Sequence, residues 1–166
     1  MDKGNDWESR VADLWASMDA LGEETFLSRV EELCAELPPD NPVALFERAA
    51  SLDSTGHSDL AVPLYRRALE LGLQGERRRR AVIQLGSSLR NLGQASESVA
   101  MLREERQAQS DHLDDAVAAF LALALVDTGN EREAASLALT ALARHLPRYQ
   151  RSVANYARLL VTEQYR

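Results

Sequence analysis

With 166 residues, 45% of them hydrophobic, and a formal net charge of -7, the chain is long enough to bury a core and too acidic to be a general nucleic-acid binder. Its longest apolar run, "AVAAFLALALV" at 116–126, falls short of the roughly 18 residues of a membrane span, and the acidic opening "MDKGNDWESR" does not read as a secretory signal. Cys34 is the one cysteine, which excludes an intramolecular disulfide and a cysteine-rich metal site and fits a cytoplasmic location.

Apolar residues recur at helical spacing along the whole chain, and the pattern predicts helices at 6–20, 24–37, 42–54, 58–72, 76–92, 95–109, 111–128 and 131–145. Pro38, Pro39 and Pro42 mark a break after the second helix, and Pro63 falls early in the fourth, where a missing N–H does least damage. A ninth helix is expected at 148–164. There Val153, Tyr156, Ala157, Leu160 and Val161 share one face, as suits a helix capping the preceding pair.

Between paired helices stand Gly22, Gly56, Gly93 and Gly129, at intervals of 34, 37 and 36 residues. Each is expected to end one helix and admit the turn into the next. Eleven residues before these glycines stand Val11, Leu45, Val82 and Ala118, and four before stand Met18, Leu52, Leu89 and Leu125. Seven before stand Trp15, Ala49, Gly86 and Ala122, three of them small, as close helix contact requires. Five and twelve after, small residues again dominate, Cys34 among them, with Ser98 and Glu105 as departures.

This recurrence resembles the tetratricopeptide repeat, a helix-turn-helix unit of about 34 residues. The segment "ALFERAASLDSTGHSDLAVPLYRRALELG" carries the likeness best, followed by "QLGSSLRNLG" and "ALVDTGNEREAASLALTAL". The resemblance implies an all-α fold, a right-handed α-solenoid of about four units at 7–37, 42–72, 76–109 and 111–147 with a capping helix at 148–164, forming one domain over 1–166. Trp15 in a small-residue slot departs from the pattern.

No catalytic constellation accompanies the repeats. His57, His112 and His145 fall in different repeats with no HxxxH pair, and phosphate-cradle and nucleophile-elbow motifs are absent. Acidic pairs such as Glu23/Glu24 and Asp114/Asp115 are adjacent on helices and diverge, and Cys34 reads as a packing residue. The expectation is a non-enzymatic protein without cofactor or metal.

The resemblance further implies a concave face, lined by the first helix of each pair, that receives a peptide, a helix or another protein. Its candidate residues here are Phe46, Ala50 and Asp53 in the second unit, Arg80, Ile83, Ser87, Arg90 and Asn91 in the third, and Leu123 in the fourth. Phe46, Ile83 and Leu123 would receive apolar side chains, and Arg80 and Arg90 a carboxylate or phosphate. Against this stands a plainer reading, in which the same residues pack a closed stack or the C-terminal helix.

Self-association is the alternative function, because residues 1–60 carry 14 acidic against 4 basic side chains while 61–166 carry 12 against 15. Nucleic-acid binding through Arg77–Arg80 ranks last, since consecutive residues on a helix point around it and no aromatic lies within the run. Repeat alignment instead assigns Arg77 to Asp40, and Arg78 and Arg79 to Asp114 and Asp115, as exposed ion pairs, leaving Arg80 for the groove.

Overall fold

The computed structural model describes residues 3–108 and 110–162. Among these it places nine α-helices and no strand: α1 (Lys3–Ala16), α2 (Glu23–Cys34), α3 (Pro42–Ser54), α4 (Ser58–Glu70), α5 (Gly75–Asn91), α6 (Ala95–Ala108), α7 (Asp114–Asp127), α8 (Glu131–Ala143) and α9 (Gln150–Leu159). All nine expected helices are present. The expected ends of the sixth at 109 and of the ninth at 163 and 164 lie outside the described residues. The chain divides into two compact units, one ending at Gln84 and one beginning at Leu85, so the division falls inside α5.

Three of the four periodic glycines end a helix in the same way. Gly56, Gly93 and Gly129 have φ of 90°, 79° and 74°, a left-handed conformation that a side chain would strain. The next residue's N–H then reaches back to a leucine carbonyl: His57 to Leu52 at 2.8 Å, Gln94 to Leu89 at 2.8 Å, Asn130 to Leu125 at 2.9 Å. This six-to-one bond satisfies a carbonyl that the helix end would otherwise orphan.

Gly22 is different. Its φ is -70° and it stands at the N-cap of α2, because the chain leaves α1 through a 3-10 turn at Met18–Ala20 and an extended Leu21. The recurrence of glycine there does not reflect the same turn. Helix α3 has a side-chain cap: the Asn41 side-chain oxygen accepts from the N–H groups of Val43 and Ala44 at 2.9 and 3.3 Å, with Pro42 at the first position. Before α9, the chain turns through Tyr149 at φ 67°, so that helix starts at Gln150 rather than 148.

In the first unit each helix packs on the next, α1 on α2, α2 on α3 and α3 on α4. Leu14, Phe26, Val30, Cys34 and Ala44 form the core, with Trp15 set edge-on to Phe26 at 5.2 Å. Trp7 donates its indole N–H to the Leu33 carbonyl at 2.8 Å, and Arg10 grips Glu36 with two bonds of 2.6 and 2.7 Å, closing the α1–α2 pair. Glu31 and Arg48 join α2 to α3 at 2.7 Å, and that hydrogen bond holds the Glu31 carboxyl below its ordinary value.

The second unit packs α6 on α7, α7 on α8 and α8 on α9 around Val99, Leu102, Leu121, Leu125 and Leu137. Gly86 allows the closest approach: a Cβ on it would lie 2.9 Å from the Leu102 side chain. Ser98, a departure from the small-apolar pattern, uses its place there, donating its hydroxyl to the Gly86 carbonyl at 2.7 Å. Replacing Gly86 with alanine should therefore cost about 1–3 kcal/mol through overpacking against Leu102. Urea unfolding of Gly86→Ala beside wild type measures it; equal midpoints would show that this contact yields freely.

Candidate protein-binding surface

Three of the arginines at the start of α5, Arg77, Arg79 and Arg80, stand in three different environments. Arg77 places its Nε 2.8 Å from Glu47 and its two terminal nitrogens 3.0 and 2.6 Å from the carboxylate of Glu8. Glu47 is almost wholly buried, and its second oxygen accepts the indole N–H of Trp15 at 2.8 Å. The assignment of Arg77 to Asp40 is thus corrected; Asp40 lies 3.6 Å from Arg67 instead. Arg79 is fully buried rather than exposed. Arg80 lays its guanidinium over the Phe46 ring, 5.3 Å from the centroid.

Trp15, which breaks the small-residue pattern, is accounted for by the same network. A buried indole N–H needs an acceptor, and α3 supplies one in Glu47. Sequence reading missed this group, although a tryptophan in a small slot opposite an acidic residue on an otherwise apolar helix was the available signal.

Of the candidate groove residues in the first unit, Phe46, Ala50 and Ile83 are buried, and so do not present an open apolar floor. Phe46 is held between Arg80 and the Tyr65 ring, 6.2 Å away. Burial, and then the neighbouring Asp53 carboxylate, push the Tyr65 phenol far above its ordinary value. Asp53, half-buried, accepts from the Ser58 hydroxyl at 3.0 Å. Here the plainer packing reading describes the side chains.

The second unit is open where the first is closed. Ser87 and Arg90 are half-buried and Asn91 is exposed on the end of α5, and Arg90 pairs with Asp127 of α7 at 2.6 Å. On α7, Val117, Ala118, Leu121, Ala122, Ala124 and Leu125 enter the core. The other side carries Ala119, Leu123 and Val126, spaced by four and three residues and therefore on one stripe; Leu123 is 46% exposed and Val126 48%. An apolar helix in a small unit normally turns polar residues outward, so this stripe is the notable surface.

Other candidate chemistry is structural. Cys34 is buried with its thiol 3.4 Å from the Ala44 carbonyl, and burial pushes its pKa up to about 11. His57 lies 2.7 Å from Glu23, and His145 lies 2.8 Å from Asp115, which also meets Arg144 at 2.7 Å. No group of three or more His, Cys, Asp or Glu among the described residues is arranged to hold a metal ion.

The tetratrico peptide repeat family model matches residues 42–160. The chain belongs to the tetratricopeptide repeat family. The match begins with α3, and the repeat units within it are the helix pairs α3/α4, α5/α6 and α7/α8 closed by the recurrent glycine turn. Tetratricopeptide repeats generally mediate protein–protein interaction. No curated protein and no solved structure matches the chain.

Two outcomes follow for the repeat scaffold. Removing the Glu47 carboxylate leaves Trp15 and Arg77 without their buried acceptor, so Glu47→Ala should lose about 3 kcal/mol in chemical denaturation; a loss under about 0.5 kcal/mol, the range of an ordinary surface substitution, would refute the network's weight. The native Cys34 thiol should resist alkylation at mildly alkaline pH, where an ordinary thiol reacts, and react only on unfolding. Rapid labelling of the folded protein would contradict that.

Proposed function

We propose that the chain is a non-enzymatic interaction module that binds a peptide, helix or protein partner through the second unit, on the face of α7 that carries Ala119, Leu123 and Val126. The exposure of that stripe is the observation behind the reading. Folding of the unit is served by the opposite side of α7, so the outward apolar residues add nothing to the core described above. Covering Leu123 and Val126 would remove from water two side chains now about half exposed, at roughly 25 cal/mol for each Å² covered. Arg90 and Asp127 lie at the edge, an ion pair that can exchange partners with charged groups flanking an apolar segment.

The bound segment is accordingly apolar at helical or alternate spacing, with a charge beside it. A nucleic acid is a poor fit, since Arg77 is committed to Glu8 and Glu47, Arg79 is buried and Arg80 covers Phe46. No described helix is long and apolar enough to cross a membrane.

Peptides selected from a displayed random library against the wild type test the surface. Their binding should fall by at least about tenfold against Leu123→Asp/Val126→Asp, a double variant that should keep wild-type helical circular dichroism because both sites are solvent-exposed. Undiminished binding to the folded variant would remove α7 as the docking face.

A further inference from the structure

We infer that the exposed face of α9 docks on α1 and α2 of a second copy of this chain, making a head-to-tail contact distinct from the α7 surface. The starting point is how the charges are satisfied. Several arginines have a carboxylate nearby: Arg10 has Asp6 and Glu36, Arg48 has Glu31, Arg77 has Glu8 and Glu47, Arg90 has Asp127, Arg103 has Glu133 and Arg144 has Asp115. Arg148, Arg151 and Arg158 are exposed and in no ion pair among the described residues. From Ala134 to Thr162 the sequence contains no Asp or Glu, and Glu163 lies outside the described residues.

The α9 surface is also aromatic. Ala157 is buried and Val153, Ala154 and Leu160 are half-buried, which fixes which side packs inward. Tyr156 is turned outward at 67% exposure, and Tyr149, at 75%, sits at the left-handed backbone position immediately before the helix. Arg151 and Arg158, seven residues apart, share one flank of the exposed face. Tyr149 is flanked in sequence by Arg148 and Arg151, while Tyr156 stands on the other edge of the exposed face from Arg151 and Arg158; exposed tyrosines and arginines are side chains that carry binding energy in protein interfaces.

The matching surface is at the other end of the sequence. Residues 1–40 hold eleven acidic side chains and three basic ones. Asp13, Asp19, Glu24 and Glu32 are exposed and in no ion pair among the described residues. Between α1 and α2 lies a cleft of about 450 Å³ whose wall includes Leu14 and Leu33 and whose rim includes Asp13 and Glu32. Arg29 is on the same rim, and Arg10 there is already engaged by Asp6 and Glu36. Half-buried Leu33 in that lining would be the apolar contact for a ring such as Tyr149, and the adjacent arginines would meet Asp13 and Glu32. The unsatisfied anions and unsatisfied cations thus lie on surfaces that one chain copy can bring to another.

Such a contact uses different surfaces on the two copies, so each copy keeps a free end and association continues into a chain or closes into a ring. Being carried by exposed charges, it weakens with salt.

Sedimentation velocity across a concentration series at low and high salt is the experiment, using the full chain. Wild type should grow in mass with concentration at low salt and return to monomer at high salt. Arg151→Glu/Arg158→Glu and, separately, Asp13→Lys/Glu32→Lys should each weaken association at least about tenfold while keeping wild-type circular dichroism. Mixed together, the two variants should associate where each alone does not, because the intact surface of one meets the intact surface of the other and the two reversed surfaces are again opposite in charge. Leu123→Asp/Val126→Asp should associate as wild type does, which separates this contact from the peptide-binding face. A wild type that stays monomeric at low salt, reversal variants that associate normally, or a mixture that stays monomeric would overturn the proposal.

Discussion

A carboxylate with almost no access to water must be held by donors, and Glu47 is held by two from different helices. Trp15 of α1 and Arg77 of α5 both converge on α3, and Arg77 then reaches Glu8 to return to α1. The first unit is organised around this requirement. Fixing Arg77 also fixes the rotation of α5, because each residue advances about 100° around the helix. Arg79, two residues on, is carried to the opposite side and inward, while Arg80, three residues on, returns close to the Arg77 side and covers Phe46. The different fates of Arg77, Arg79 and Arg80 are therefore consequences of one helix register.

The second unit reaches close packing by another route. There glycine and serine permit the approach, with Leu102 filling the space beside Gly86 and Ser98 satisfying the Gly86 carbonyl. The polar group is small, local and complete, so no long-range ionic network is needed to tolerate its burial. The two units thus solve the same packing problem with a tryptophan–carboxylate–arginine chain in one and a hydroxyl in the other. The shared device is the turn: the residue after Gly56, Gly93 or Gly129 always returns its N–H to a leucine carbonyl.

That device is why the fold was legible from the amino-acid sequence. A left-handed turn selects glycine, and the bond it makes selects the spacing, so periodicity and helix boundaries appear together at Gly56, Gly93 and Gly129. Gly22 kept the spacing without the φ, and only coordinates separate the two cases. The candidate groove was less legible. Repeat register tells which side of a helix Phe46, Ile83 and Leu123 occupy, but exposure depends on what crosses above them. A guanidinium crosses Phe46, whereas Leu123 remains open. Arg77 was misassigned for a related reason: alignment compares backbone positions, and a long side chain spans past the aligned Asp40 to carboxylates on α1 and α3.

The outward surfaces of the second unit divide by physical kind. The α7 stripe is apolar, so the driving force for covering it is strengthened by excluded salts and by warming from the cold. The α9 face is cationic and aromatic, and the part of its attraction that comes from charge falls as ions screen it. An excluded salt would therefore act in opposite directions on the two proposed contacts. On the proposed reading, a partner at α7 and a second copy at α9 would not compete for one site, and an excluded salt would act differently on the two contacts. This separation follows from Leu123 and Val126 having no charge between them on their stripe, and from the α9 arginines having no carboxylate within their own segment.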